Sequence, residues 1–240
     1  NAISFKILIK GEKNMDYKIN GSLLPYVECN LNKGESISAE AGAMLYMNPK
    51  IEYKVQSGGI KKMFGRAFTG ESMFLSKFTA TEDGSKISFS SSFPGEILAV
   101  DVTPEKSYII QKSAYLASEE GVELSTHFQK KLGAGFFGGE GFIMNKLTGK
   151  GTAFVEIDGT SIEYDLKAGE EIIIATGHLA MMESTCTMDI KGVKGLGNVL
   201  FGGEGIFNTV VRGPGKVIMQ TMTIGELSAR IAPYMAYRGR

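Results

Sequence analysis

The 240-residue sequence predicts an all-β fold made of three tandem copies of one unit, closed by a short C-terminal helix. Three observations lead there. The chain is a succession of short runs rich in β-branched and aromatic residues, bounded by Gly, Pro or Asp, with no helical pattern between them. Glycine fills 31 positions beside only 6 prolines and follows no collagen period. Many of those glycines sit in phrases that recur at near-equal spacing, as internal duplication requires.

In chain order the predicted strands are Tyr17 to Asn20, Tyr26 to Leu31, Phe74 to Thr79, Lys86 to Phe89, Ile97 to Val102, Ser107 to Lys112, Thr152 to Ile157, Ile162 to Leu166, Glu171 to Ala175 and Lys216 to Met222. Glu82-Asp83-Gly84-Ser85 and Asp158-Gly159 read as tight hairpin turns. The one helical period is Ile224, Leu227, Ser228, Ile231, which Pro233 is expected to end. Short strands without intervening helices point to a sandwich or barrel-like architecture.

The duplication is written in three markers. Phe68-Thr69-Gly70-Glu71-Ser72, Phe137-Gly138-Gly139-Glu140-Gly141 and Phe201-Gly202-Gly203-Glu204-Gly205 are variants of one phrase. Upstream, Gly34-Glu35-Ser36-Ile37 answers Gly169-Glu170-Glu171-Ile172, with Pro104-Glu105 between; the glutamate-to-glutamate separations are 36, 35 and 34 residues. Downstream, Gly149-Lys150-Gly151 and Gly213-Pro214-Gly215 match Pro94-Gly95, which arrives 13 residues late and implies a hairpin inserted in the first copy near 79–91. The resulting division is 15–93, 94–151 and 152–222, then a helix and tail over 223–240. Tandem β units share a continuous core around an approximate axis, so one compact body with pseudo-threefold symmetry is expected.

Charge and cysteines narrow the function. Twenty-six basic and 26 acidic side chains cancel, leaving no global field for phosphate backbones or anionic lipid. Nucleic acid is therefore not an expected partner. Two cysteines, Cys29 and Cys186, suit a reducing interior better than a secreted scaffold. Ile3 to Ile9 is broken by Lys6 and is not read as a signal peptide, and no apolar run reaches the 18 or more residues of a spanning helix. The expected compartment is cytoplasmic.

Glu71, Glu140 and Glu204 form the sharpest polar constellation, because pseudo-symmetry gives them equivalent positions. Converging, they could hold a hard cation; facing neighbouring units, they would accept backbone amide hydrogens of glycine turns. The second reading is preferred, and Gly70, Gly139, Gly203, Phe136, Phe137 and Phe201 are grouped with them as structural or interface residues. Gly133-Ala134-Gly135-Phe136-Phe137-Gly138 satisfies a dinucleotide fingerprint, but Gln129-Lys130-Lys131 before it and Gly149-Lys150-Gly151 after it deny the strand and helix the mechanism needs. His178 and Cys186 could form a base and nucleophile, yet the other copies carry Ala43 and Ala114 at the histidine's place; His127 likewise reads as structural. Lys130 to Lys146 alternates glycine with Phe136, Phe137, Phe142, Ile143 and Met144; peripheral membrane contact is weighed there, but a core or subunit interface is preferred. No catalytic, metal-binding or cofactor-binding residue is assigned.

Over about Met15 to Thr223 the sequence resembles the altered-inheritance-of-mitochondria family of bacterial domains. The likeness is carried by Leu31-Asn32-Lys33-Gly34-Glu35-Ser36, Ala39-Glu40-Ala41-Gly42-Ala43-Met44, Phe93-Pro94-Gly95-Glu96-Ile97, Gln111-Lys112-Ser113-Ala114-Tyr115-Leu116-Ala117-Ser118, Lys131-Leu132-Gly133-Ala134-Gly135-Phe136-Phe137-Gly138-Gly139-Glu140-Gly141 and Phe201-Gly202-Gly203-Glu204-Gly205. That resemblance implies a TRAP-like β-sandwich, named for the tryptophan RNA-binding attenuation protein, repeated three times per chain. It also implies ring-shaped oligomers, a homotrimer, with no catalytic residues. Relatives carry an acid at Ala175 and an arginine at Met222, so any shared polar site is partly lost here. The expected function is a non-enzymatic ring-forming scaffold or binding module. RNA or small-ligand binding between repeats is the alternative, and an enzyme with an unrecognised site gathering Glu140, His178 or Asp101 is the third reading.

Overall fold

The structure is a computed structural model that describes residues 15–56, 75–130, 141–192 and 207–235. In chain order its strands are β1 (Asp16–Asn20), β2 (Tyr26–Leu31), β3 (Ser36–Glu40), β4 (Met44–Met47), β5 (Ile51–Gln56), β6 (Leu75–Ala80), β7 (Ser85–Ser90), β8 (Gly95–Val102), β9 (Tyr108–Gln111) and β10 (Tyr115–Glu119). They continue as β11 (Val122–Lys130), β12 (Phe142–Gly149), β13 (Gly151–Asp158), β14 (Ser161–Leu166), β15 (Glu171–Ala175), β16 (Leu179–Glu183), β17 (Thr187–Gly192), β18 (Phe207–Arg212) and β19 (Gly215–Gln220), before helix α1 (Ile224–Met235). The all-β expectation holds, with one short helix at the C-terminal end.

Strand alternation decides which residues turn inward. In β2 the residues Val27, Cys29 and Leu31 are buried while Tyr26, Glu28 and Asn30 are partly exposed; Ser76, Phe78 and Ala80 do the same in β6. The strands assemble into four antiparallel sheets, in the orders β1-β2-β7-β4, β5-β6-β3-β10-β13-β8, β11-β12-β9-β16-β19-β14 and β15-β18-β17. Three hydrophobic cores lie between consecutive sheets. Val27, Cys29, Ile87 and Phe89 meet Ile37, Phe78 and Phe154 in the first; Val100, Tyr115 and Val155 meet Ile110, Leu147 and Ile218 in the second; Ile109, Phe142 and Val217 meet Ile174, Ile190 and Val211 in the third. The two inner sheets therefore bury both faces along their central strands, which is why β13 is buried from Thr152 to Ile157, with Phe154 facing the first core and Ala153, Val155 and Ile157 the second.

Local geometry recurs with the sequence phrases. Gly34 and Gly169 both sit in the left-handed region, at φ 84° and 86°. The glutamate after each folds back: Glu35 Oε2 accepts the Asn32 N–H at 2.7 Å and Glu170 Oε2 the Lys167 N–H at 2.8 Å. A 3₁₀ turn precedes both β10 and β16, at Lys112–Ala114 and Thr176–His178. Glu119 and Glu183, closing those strands, accept the N–H of Thr152 and Lys216, each the second residue of its strand. The pairings β10–β13, β16–β19 and β4–β7 all carry an irregularity after the first residue, between Tyr115/Ala117, Leu179/Met181 and Met44/Tyr46.

Three details bear on the sequence reading. The turn near 79–91 joins β6 and β7, which belong to different sheets and are each paired on both edges, β6 with β3 and β5 and β7 with β2 and β4. Thr152 to Ile157, placed at the head of the third segment, pairs along its whole length with β8 and also with β10. Pro233 does not end the helix, which runs two residues further. Thr223 Oγ1 accepts the Glu226 N–H at 3.1 Å, capping α1 at its start. No helix among the described residues is long and apolar enough to cross a membrane.

Candidate functional site

Every residue singled out from the sequence as a structural or interface candidate, namely Glu71, Glu140, Glu204, Gly70, Gly139, Gly203, Phe136, Phe137 and Phe201, lies outside the described residues. So does the fingerprint at 133–138; the next described element is strand β12, where dinucleotide binding needs a helix. His178 Nδ1 lies 2.7 Å from the Gln220 carbonyl oxygen and Nε2 lies 3.1 Å from Glu226 Oε1, which ties the 3₁₀ turn to α1. Cys186 and Cys29 are free, buried and in different cores, and burial pushes both thiols above their ordinary range. Among the described residues no three His, Cys, Asp or Glu side chains are grouped to hold a metal.

The features that do stand out belong to the joints between sheet halves. In the second sheet β3 pairs with β10, placing Ala39 opposite Ala117, Ser38 opposite Ser118 and Ile37 opposite Glu119. In the third, β9 pairs with β16, placing Ile110 opposite Met181, Ile109 opposite Met182 and Tyr108 opposite Glu183. Both joints are dry: Ala39, Ala117, Ile110, Ile109, Met181 and Met182 are all buried. Just beyond the first joint, burial and the neighbouring Glu156 carboxylate raise Glu40 to about 7, with Lys112 opposing. Glu156 is raised by its own burial despite accepting hydrogen bonds from Ser91 Oγ at 2.9 Å and from Ser92 N at 2.7 Å and Oγ at 3.0 Å. Burial and Glu156 together carry Asp158 to about 6. At the matching place on the second joint two neutral amides meet, Gln220 Nε2 donating to Gln111 Oε1 at 3.3 Å.

A groove of about 310 Å³ opens beside the first joint, between Asn32–Ser36, Glu119–Gly121 and the start of β1. Its carboxylates already have partners: Glu35 holds Asn32, Glu119 holds Thr152, Glu120 pairs with Lys77 and Asp16 accepts from Asn30. The groove is thus braced from within.

The raised carboxyls make stability depend on pH with a definite sign. An acid whose folded ionisation lies above its unfolded value holds extra protons in the folded state, so stability is greatest below the unfolded value and falls as pH rises through the folded one. Between about pH 4.5 and 7 the chain is therefore expected to lose stability through Glu40, with Glu156 and Asp158 adding in the same direction. Glu40→Gln should raise stability at pH 8 by about 2 kcal/mol, allowing for partial exposure, and change little at pH 4.5. Urea melts at the two pH values check this; an equal effect at both would show that the charge is not the cause.

The outermost strands behave differently. Among the described residues nothing pairs with β4 on the side away from β7, or with β15 on the side away from β18. Leu45 is 51% and Tyr46 42% exposed, whereas β10 and β16, at the internal joints, are buried at all but their last residue. Ile173 on β15 is 63% exposed. The β-branched run of β15 is visible in the sequence but β4 is not, and nothing in a single strand signals that its edge is open.

Comparison with known proteins places these features in context. The family model described as mitochondrial biogenesis AIM24 matches residues 17–222. An uncharacterised protein of Streptococcus pyogenes serotype M6 is 27% identical over 236 residues, spanning 93% of this chain and 92% of that protein. The crystal structure of a second Streptococcus pyogenes protein superposes with a TM-score of 0.75 at 22% identity, covering 92% of this chain and 100% of that one. That likeness shows a shared fold.

Proposed function

The chain belongs to the mitochondrial biogenesis AIM24 family, and from that premise we propose that it is a non-enzymatic β-repeat protein whose product is an assembly: a scaffold or binding module built from copies of itself. The observation that carries the reading is one strand-pairing scheme used three times. β2 pairs with β7, β3 with β6, β4 with β7 and β5 with β6; β8 to β13 follow the same scheme, and so do β14 to β19. On this reading the units are Tyr26 to Ser90, Gly95 to Asp158 and Ser161 to Gln220, each a small TRAP-like sandwich joined to the next through a shared sheet.

A row of units has two unlike ends, and unlike ends join head to tail. Such heterologous contacts either close into a ring or run on as a filament. A ring of three copies fits the resemblance drawn from the sequence. The non-enzymatic reading is supported at the residues weighed as base and nucleophile: His178 is held at both ring nitrogens and the Cys186 thiol is buried. Unpaired buried cysteines also fit a cytoplasmic setting.

Native mass spectrometry with light scattering tests the assembly. The expected mass is about three times 25.9 kDa, unchanged on dilution through the micromolar range. A single-chain mass at all concentrations would overturn the proposal.

A further inference from the structure

Resting on the three-unit reading, we infer that the joint between copies is an antiparallel pairing of β15 in one copy with β4 in the next. It places Ile174 opposite Tyr46, Ile173 opposite Met47 and Ile172 opposite Asn48 of the neighbouring copy.

The two inner sheets show what a complete sheet is in this protein. Each has six strands, three from one unit and three from the following unit, and the halves meet where β3 joins β10 or β9 joins β16. The outer sheets are the two halves left over. The fourth, β15-β18-β17, corresponds to β3-β6-β5 and to β9-β12-β11; the first, apart from β1, is β2-β7-β4 and corresponds to β8-β13-β10 and to β14-β19-β16. Joined, they restore a six-stranded sheet, with β1 added along its outer edge.

The register follows from the internal joints. Ile37, Tyr108 and Ile172 are equivalent, as are Glu119, Glu183 and Asn48; the observed pairs Ile37–Glu119 and Tyr108–Glu183 therefore give Ile172–Asn48, and the rest follow in step. Exposure agrees. The strands of the internal joints have no exposed residue, whereas β4 exposes Met44, Leu45 and Tyr46 and β15 exposes Ile173 and Ala175, with Glu171 the one charged side chain among them. An unpaired, apolar strand edge is a template for another strand. The end of the joint is free of charge as well. Where the internal joints bring Glu40 towards Glu156 and Gln111 to Gln220, this one brings Ala175 to Ser90.

Cysteine pairs read the register directly. Ile173→Cys combined with Met47→Cys should yield, on mild oxidation, covalent multimers up to the full ring on a non-reducing gel. Ile173→Cys with Leu45→Cys, two residues out of step, should yield at least tenfold less. Equal yields from the two pairs, or no covalent product from an oligomer of unchanged mass, would overturn this joint while leaving assembly itself standing. Ile173→Lys supplies a check that does not depend on oxidation. Its site is exposed in the single chain, so circular dichroism should be unchanged while the mass falls to that of one chain. An oligomer that survives Ile173→Lys would place the interface elsewhere. A single-chain mass for the unsubstituted protein would instead remove the assembly reading from which the joint follows.

Discussion

Gly95→Ala is expected to cost about 4 kcal/mol, enough to leave a marginally stable chain largely unfolded at 37 °C. The reason is backbone against backbone. Gly95 opens β8 opposite Asp158, and a Cβ there would lie 1.8 Å from the Ile157 carbonyl oxygen and 2.9 Å from the Gly159 N–H nitrogen. No side-chain rotation relieves a contact of that kind, so β8 and β13 would have to part at the end where the Gly159 N–H also donates to the Pro94 carbonyl at 2.8 Å. The comparison is Gly84→Ala. There φ is +71° but nothing lies within 4 Å, so only backbone strain of about 1 kcal/mol is expected. Urea unfolding of the two variants separates close approach from conformational strain; similar losses would show that the contact at Gly95 is relieved by an unanticipated shift.

Phe154→Ala is the second large effect, a loss of about 4 kcal/mol. Phe154 is fully buried near the centre of β13 and projects into the first core, where Tyr17 meets its ring edge-on at 5.0 Å. Truncation removes the transfer energy of the ring and leaves a cavity that sheets on both sides hold open. Because the neighbouring residues Ala153 and Val155 face the second core, the strand cannot move towards the first core without opening the other. Phe154→Leu, which retains most of the volume, should lose about half as much. A loss under 1 kcal/mol for Phe154→Ala in urea melts would mean that the first core collapses freely.

How much of this is legible in the sequence depends on the kind of signal. Strands with β-branched runs between glycines, such as β8, β14 and β15, are located to within two residues, because burial on one or both faces demands that composition. Strand β11 escapes: Val122, Leu124 and Phe128 are diluted by Glu123, Ser125, Thr126 and His127 on an exposed face. The phrases Gly34-Glu35 and Gly169-Glu170 build the same kind of turn, each with a folded-back carboxylate. Pro94-Gly95 stands between β7 and β8. Gly149-Lys150-Gly151 and Gly213-Pro214-Gly215 connect β12 to β13 and β18 to β19, and on the three-unit reading proposed above they answer to Glu82-Asp83-Gly84 between β6 and β7, whose glycine alone resembles them. On that reading the first unit needs no inserted hairpin. Glu40 and Glu156 give no sequence signal because their meeting is a property of the joint between β3 and β10, and neither carboxylate has a local motif around it.

The inner sheets also constrain how such a sequence can change. Along β13, odd and even positions answer to different cores, so one inserted or deleted residue would send every later side chain of the strand into the core meant for its neighbour. The strand is in effect a text read from both sides. Length changes are consequently confined to the turns between strands, and an inner sheet deprived of either flanking sheet would expose a face composed for a neighbour it no longer has.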